Sequence, residues 1–411
     1  MLRLDPGARK ALDALSLGLM RQLGLRETGD VNLLRVEVLS AIGDVLSGAP
    51  KLKGLGSALL GRLGERMARS VTVFPVVGLD LSGVNEGRPF RLGDRIAMGA
   101  LNDATEGAVS DFAKEFVGSA LPFPRDAWWT EDLHGFREDP RSYEDDAPLR
   151  HVAVIAVGLD VVGSAAAIRG KELVEALLGA LWLLARSEGE MEFLPPWVLG
   201  GPNRTDSPRD PDFDHDPGLP MVAIQVDKRS RGPEALPIDA WYRTVDVAAV
   251  LDGDIGLIEL IAKAESPVPE QALARRLAAA CRFGWVSGQD TSDDLQVLHL
   301  VVALEALVSE HTAGGGVTGR FITRLLALQD ETRRDSTKLE ALYNLRSEVG
   351  HQGFSAESRT KLAKATGYAT DLLGDCVLGV VEAVNLHKFR DDTKLLAWLD
   401  RSSPDRSDPF A

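Results

Sequence analysis

The sequence predicts an α+β protein of several domains, with mixed α/β N-terminal and middle regions followed by an all-α C-terminal bundle. Residues 71–79 and 151–157 form apolar runs typical of strands, and the second run has the near-continuous apolar character of a strand covered on both faces. After about residue 268, five helical segments follow one another with short loops and no strand pattern, as in a helical bundle.

The N-terminal region, residues 1–150, is predicted to combine helices with a small sheet. Asp5 followed by Pro6 fits the start of a first helix, because Pro is favoured at the first helical position. The predicted helices are 3–24, 31–47 and 52–69, and the predicted strands are 71–79, 90–92 and 95–98. A glycine-bearing turn at 85–87 indicates a hairpin or small sheet. Residues 119–150, rich in Pro, Trp and acidic residues, are expected to form a long ordered loop.

The middle region, residues 151–265, is also predicted to be α+β. The strand 151–157 is followed by an amphipathic helix over 170–187, a Pro/Gly/Asp-rich loop over 200–218, and a second apolar strand over 220–226.

The C-terminal region, residues 268–395, is predicted to be the helical bundle. Its helices are expected at 268–284, 292–312, 318–332, 336–350 and 356–387. Gly350 is expected to end the fourth helix and Ser355 to cap the fifth. The tail 402–411, rich in Ser, Pro, Asp and Arg, is predicted to be disordered.

Composition and charge indicate a cytoplasmic protein without a membrane span or signal peptide. The two cysteines, Cys281 and Cys376, lie in apolar helical contexts, which favours buried free thiols. A net charge of −15 argues against a chain that coats nucleic acid nonspecifically. Residues 271–390, with 14 cations and 14 carboxylates, are locally neutral, so any RNA is expected to bind there at a local site.

The segment 342–353 carries the most informative pattern, because it places Arg346 near the end of an amphipathic helix and His351 five residues later. A guanidinium can hold a phosphate with several donors, and an imidazole ordinarily exchanges its proton near neutral pH. The spacing alone also fits a surface arginine and a helix-terminal histidine that interacts with the helix dipole. In the favoured interpretation His351 lies in a tight turn after the helix, so that both groups meet at the tip of a helical hairpin.

This segment resembles the signature of HEPN domains, the helical ribonuclease domains of prokaryotic toxins and defence systems. The shared pattern is Leu-Tyr-Asn-Leu-Arg-Ser-x-x-Gly-His-Gln-Gly at 342–353, and the helix containing residues 292–307 is similar to the first helix of the ApeA-like branch of the family. The resemblance covers roughly residues 270–390, and residues 74–94 also loosely resemble the N-terminal part of ApeA-like anti-phage proteins.

The resemblance implies a homodimer in which two Arg-x4-His motifs form one composite site. Arg346 would bind the scissile phosphate of an RNA substrate, and His351 would act as general acid or base. Attack by the ribose 2′-OH would leave a 2′,3′-cyclic phosphate and a 5′-OH, without a metal or another cofactor. Ser347 stands where the family often has Asn, Asp or His. Glu305 matches an acidic position of the family, where it either orients Arg346 or is a solvated helix charge.

Several other residues are candidates for functional or structural roles. Asn344 is a candidate RNA contact, whereas Tyr343 is expected in the core. The acidic segment 206–216 could bind a divalent cation, but it lacks EF-hand spacing and is better explained as a solvated loop. The glycines at 314–316 fit an interhelical linker better than a phosphate loop. His299 and His311 are expected to be structural.

The sequence therefore predicts a metal-independent endoribonuclease of a prokaryotic anti-phage or toxin-like system, in which residues 1–265 sense a phage-derived trigger or regulatory partner. The main alternative is a non-catalytic HEPN-type module that dimerises or binds RNA or a nucleotide, with Arg346 and His351 kept for structure. A metal-dependent hydrolase built on the segment 206–216 is a third possibility, disfavoured by the missing ligand spacing.

Overall fold

The computed structural model describes scattered positions before residue 69 and then, with short gaps, residues 69–117, 152–187, 197–198, 245–310 and 317–402. The predicted turn at 85–87, the loops 119–150 and 200–218, the strand 220–226, the acidic segment 206–216, the glycines 314–316 and His311 lie outside the described residues. The predicted helices before residue 69 and the tail after Ser402 are also almost entirely outside them. Within the part of the chain described, no helix combines the length and apolar character needed to cross a bilayer.

A five-stranded antiparallel sheet is the core of the N-terminal half, with the strand order β3-β4-β5-β1-β6. Its strands are β1 (Ser70–Val77), β3 (Phe90–Leu92), β4 (Ile96–Ala100), β5 (Val152–Leu159) and β6 (Trp197–Val198). The short strands β2 (Leu79–Asp80) and β7 (Val245–Asp246) form a separate parallel pair. The predicted strands are confirmed within the described residues, but their pairing was only partly predicted.

The described hairpin joins β3 to β4, where Gly93 has a φ of +61°. The strand β1 does not pair with β3; it pairs along its whole length with β5, from Ser70 opposite Leu159 to Val77 opposite Val152. The predicted division at residue 150 therefore does not follow the sheet, because β5 is inserted between β1 and β4. A pairing between segments separated by some 75 residues leaves no local signal in the sequence.

The strand β5 is covered on both faces, as its apolar run predicts. Val154 and Ala156 face a small cluster completed by the helix α1 (Asp103–Val117), which the sequence analysis did not identify. Ile155 and Val157 face the main core. The sheet is thus enclosed by helices on its two sides, which explains why the alternation expected of a half-exposed strand is missing.

Eight further helices follow, and they form the bulk of the described chain. They are α2 (Ser164–Ser187), α3 (Val247–Ala262), α4 (Gln271–Gln289), α5 (Asp293–Val308), α6 (Val317–Leu328), α7 (Ser336–Gln352), α8 (Arg359–His387) and α9 (Asp392–Ser402). The all-helical character predicted for the last third is confirmed. The helices α3 and α9 were not predicted, and the ends of the others differ from prediction by up to six residues.

The helix α2 packs between the sheet and the bundle, with β1 and β5 on one side and α4 on the other. It was predicted to be amphipathic, yet from Leu173 to Ala185 every residue is buried. One continuous apolar core therefore extends from the sheet to the last helices. Both cysteines are free and buried in this core, and burial raises the pKa of the Cys281 thiol to about 12.

The contact between α2 and α4 depends on the absence of a side chain at Gly179. A Cβ atom added there would lie 2.1 Å from the carbonyl oxygen of Cys281, a backbone atom that cannot move without shifting α4. We expect Gly179→Ala to lower the free energy of unfolding by about 2–3 kcal/mol, measured by urea denaturation. Gly367→Ala in α8 is the control, because a Cβ there meets no atom within 4 Å. A comparable loss in both variants would contradict the predicted clash.

Two arginines, of which Arg324 is buried and Arg276 is partly buried, bind α9 to the rest of the bundle. Arg276 donates to the carbonyl oxygens of Ala306 and Ser309 at the end of α5, at 3.0 and 2.8 Å, and to Asp392 at 2.8 Å. Arg324 donates to the Val308 carbonyl oxygen at 2.6 Å and to both carboxylate oxygens of Asp400, at 2.7 and 2.8 Å. Each arginine thus satisfies carbonyl groups that the end of α5 leaves without helical partners.

Candidate functional site

The helix α7 carries the predicted site residues, and its apolar face fixes their orientation. Asp335 caps its start by accepting a hydrogen bond from the Lys338 amide at 3.0 Å. Leu339, Leu342 and Val349 are buried, and Arg346 falls on the same stripe at helical spacing. Arg346 is therefore held against the bundle, where only its outer part reaches solvent.

The predicted end of this helix at Gly350 is wrong. The helix continues to Gln352 and ends at Gly353, whose φ is +79° and whose amide donates to the Val349 carbonyl oxygen at 2.8 Å. A glycine is tolerated inside a helix, whereas a left-handed C-terminal residue favours glycine strongly, so the second glycine ends the helix. His351 therefore lies in the last helical turn and not in a turn after it.

The predicted start of the last long helix also needs correction. The helix α8 begins at Arg359, and its N-cap is Ser358, whose hydroxyl accepts from the Lys361 amide at 3.4 Å. Ser355, the predicted cap, accepts from the Glu357 amide at 3.1 Å, within the connection between the helices. Short serine-initiated turns and helix caps share the same local hydrogen bond, so spacing alone did not distinguish the two serines.

Arg346 and Glu305 form an ion pair across α7 and α5. The Nη2 atom of Arg346 donates to Oε2 of Glu305 at 3.2 Å, and the two side chains are 32% and 18% exposed. The Nε atom of Arg346 is buried and makes no hydrogen bond. Glu305 is therefore paired with Arg346 and is not a fully solvated helix charge. Because Nε is buried, a phosphate in solvent could reach only the terminal nitrogens of the guanidinium.

His351, Ser347 and Asn344 share the outer face of α7, because they are spaced by four and three residues. His351 and Asn344 are exposed, and Ser347 is half-buried. Five residues along a helix place Arg346 about 140° away from His351, on the side nearer to α5. Among the described residues, no hydrogen bond or ion pair joins the two side chains within one chain. A single copy thus presents the guanidinium and the imidazole on well-separated faces of one helix end.

The connection after α7 is tied down beside this helix end. The Ser355 amide donates to Oδ1 of Asp294 in the first turn of α5 at 3.0 Å. The Ser355 hydroxyl donates to Oε2 of Glu348 at 3.3 Å. Ser355 therefore lies alongside the last turns of α7, and α8 begins four residues later. These hydrogen bonds were not predicted from the sequence, since they join distant segments.

The remaining candidates have structural roles where they are described. Nδ1 of His299 lies 2.5 Å from Oδ2 of Asp290, and its ring stacks on Phe283 between α4 and α5. Tyr343 packs on Phe321 with ring centroids 5.2 Å apart, as expected of a core residue. Within the described residues, no group of three or more His, Cys, Asp and Glu side chains is placed to hold a metal ion.

Comparisons with known proteins found no match to this chain. No family model matches the chain, no curated protein matches it, and no solved structure matches it.

Proposed function

We propose that this protein is a metal-independent endoribonuclease of the HEPN type, acting as a homodimer in prokaryotic anti-phage or toxin-like defence. One observation carries the proposal: the last turns of α7 present an exposed imidazole, at His351, and a partly exposed guanidinium, at Arg346, five residues apart. These are a proton-transfer group and a phosphate ligand, the two groups that RNA cleavage by internal attack requires.

In the proposed reaction the ribose 2′-oxygen attacks the adjacent phosphorus. The P–O5′ bond breaks, which leaves a 2′,3′-cyclic phosphate and a 5′-hydroxyl. One His351 imidazole accepts the proton of the 2′-OH, and a protonated imidazole delivers a proton to the departing O5′. Arg346 donates to the phosphate oxygens as negative charge builds on them.

A second copy of the chain supplies what one copy lacks. The two side chains lie on well-separated faces of α7, and a reaction of this kind uses one imidazole as base and another as acid. Two helix ends facing each other would provide both imidazoles and two guanidinium groups around one phosphate. We further propose that residues 1–265 control this site in response to a phage-derived trigger.

A non-catalytic bundle that dimerises or binds RNA is the second candidate function, and the Arg346–Glu305 ion pair favours it. A guanidinium neutralised by a carboxylate at 3.2 Å attracts a phosphate less strongly than a free one. In that case Arg346 would serve to join α5 to α7, and His351 would be an exposed helix-terminal residue.

The product ends distinguish these functions. We compare cells with and without phage, and we expect cells expressing the wild type to accumulate RNA fragments with 5′-OH ends once the trigger is present, whereas cells expressing His351→Ala do so in neither condition. The reason is that the alanine variant keeps the fold, since residue 351 is exposed, but has no group to move the proton. The measurement is sequencing of 5′-OH RNA ends.

Purified protein supplies the control. Wild-type protein should cleave RNA equally with and without EDTA, and the products should carry cyclic phosphates. Identical RNA ends for the wild type and for folded, dimeric His351→Ala would exclude the nuclease and leave the binding module.

A further inference from the structure

The start of α8, next to the candidate site, has an unusual charge pattern. Its first twelve residues, 359–370, hold three cations and no carboxylate, within a chain of net charge −15. Like most helices that follow the sheet, α8 has no acidic residue in its first turn, but here that turn also carries the cations Arg359 and Lys361. Positive side chains at the positive end of a helix repel it, so this arrangement is not explained by helix stability.

Two of these cations are available to a ligand. Lys361 is engaged, because its Nζ donates to Oε2 of Glu357 at 2.7 Å. Arg359 and Lys364 are exposed, and neither forms an ion pair with another described residue. The first two turns of α8 therefore present one guanidinium and one ammonium group to solvent together with the partial positive charge of the helix end.

This cationic surface, Arg359 and Lys364, lies close to His351. The connection between the helices is only six residues long, and Ser355 in its middle is hydrogen-bonded to Glu348, one turn before His351. The Asp294 contact to the Ser355 amide fixes the same segment against α5. The start of α8 is thus held beside the end of α7 and does not depend on a free loop for its position.

We infer that Arg359 and Lys364 bind the phosphates of a single-stranded RNA next to the bond that His351 acts on, an inference that rests on the proposed function for its choice of nucleic acid. The two side chains and the RNA backbone carry opposite charges. Exposed cations without carboxylate partners are the groups that bind a phosphate backbone without reading its bases. An acidic chain that binds RNA only here keeps the rest of its surface free of RNA.

The test measures RNA binding apart from cleavage, in the full-length His351→Ala protein. The probe is a short fluorescein-labelled oligouridylate, and its dissociation constant is measured by anisotropy over a range of salt concentrations. Adding Arg359→Gln and Lys364→Gln should reduce the slope of log affinity against log salt by about 1.4, since each phosphate contact on a single strand contributes about 0.7. The affinity should fall about 25-fold near 0.1 M salt and hardly at all near 1 M.

The matched control is Lys394→Gln with Arg401→Gln, which removes the same two charges from α9. Both side chains are exposed, so this variant should bind RNA like its parent. An unchanged slope in the α8 variant, or equal losses in both variants, would overturn the inference.

The outcome is separable from that of the proposed function. If the wild type cleaves RNA but the α8 variant has an unchanged salt slope of affinity, the nuclease proposal is kept and the RNA-binding role of Arg359 and Lys364 is rejected. Loss of binding in the α8 variant, with no cleavage by the wild type, would keep the surface as an RNA-binding site of a non-catalytic bundle.

Discussion

Arg346→Ala is expected to slow RNA cleavage by about 100- to 1,000-fold, the usual cost of removing one donor that stabilises a charged transition state. The guanidinium is partly exposed on the helix that also carries the imidazole, so its removal deprives the phosphate of its principal proposed ligand. Rates are to be measured under single-turnover conditions with purified, folded dimers. Arg346→Lys should recover only part of the rate, because an ammonium group cannot donate in the planar geometry of a guanidinium.

Glu305→Gln separates catalysis from packing at the same contact. The amide keeps an oxygen that can accept from Nη2 but removes the carboxylate charge, so we expect less than about a tenfold change in rate. If Arg346 acts only as a structural link between α5 and α7, Arg346→Ala and Arg346→Lys should differ in stability and not in any rate. Wild-type cleavage rates in Arg346→Ala would reject the proposed role of Arg346.

Arg324→Ala is expected to lower the free energy of unfolding by about 3 kcal/mol, at the low end for a broken buried ion pair because Asp400 is 33% exposed. The guanidinium is only 2% exposed, and its hydrogen bonds with Asp400 raise its pKa further above the usual range. Removing it leaves the Asp400 carboxylate and the Val308 carbonyl group without their donor. The measurement is the urea midpoint followed by circular dichroism, with the slope checked for constancy.

Arg320 offers a matched control, one turn earlier on the same helix. Its Nη1 lies 4.0 Å from Glu310, which Arg324 also contacts, but its side chain is 40% exposed. Exposed pairs contribute little, so Arg320→Ala should cost less than about 1 kcal/mol. Equal losses for the two substitutions would show that burial of Arg324 is not what makes its contacts strong.

The sequence predicted the helices and strands better than it predicted which of them pair or pack with one another. The strand 151–157 and the helices of the last third were identified, because apolar run length and short polar loops are local features. The insertion of β5 between β1 and β4 was not, since it joins distant segments. The helix α1 was not predicted, although Val109, Phe112 and Phe116 have helical spacing.

The candidate site was predicted at the level of residues but not of geometry. Arg346, Glu305 and His351 were named together, and the structure places Glu305 against Arg346. The position of His351 depended on which of two nearby glycines ends α7: an end at Gly350 would place it after the helix, whereas the end at Gly353 keeps it in the last helical turn. The cationic surface at the start of α8 could have been found from the sequence, since three cations without a carboxylate in twelve residues is a local pattern.

The burial of α2 has a consequence for how this chain can be divided. A fragment beginning at residue 268 would leave open to water the α4 surface around Cys281 and Trp285, which Gly179 of α2 covers, and would lose the ion pairs of Arg282 with Glu172 and Glu175. Such a bundle is not an autonomous folding unit, and it cannot be exchanged between proteins as a cassette unless a helix equivalent to α2 accompanies it. Any signal received by the sheet would then reach the bundle through shared packing rather than through a hinge.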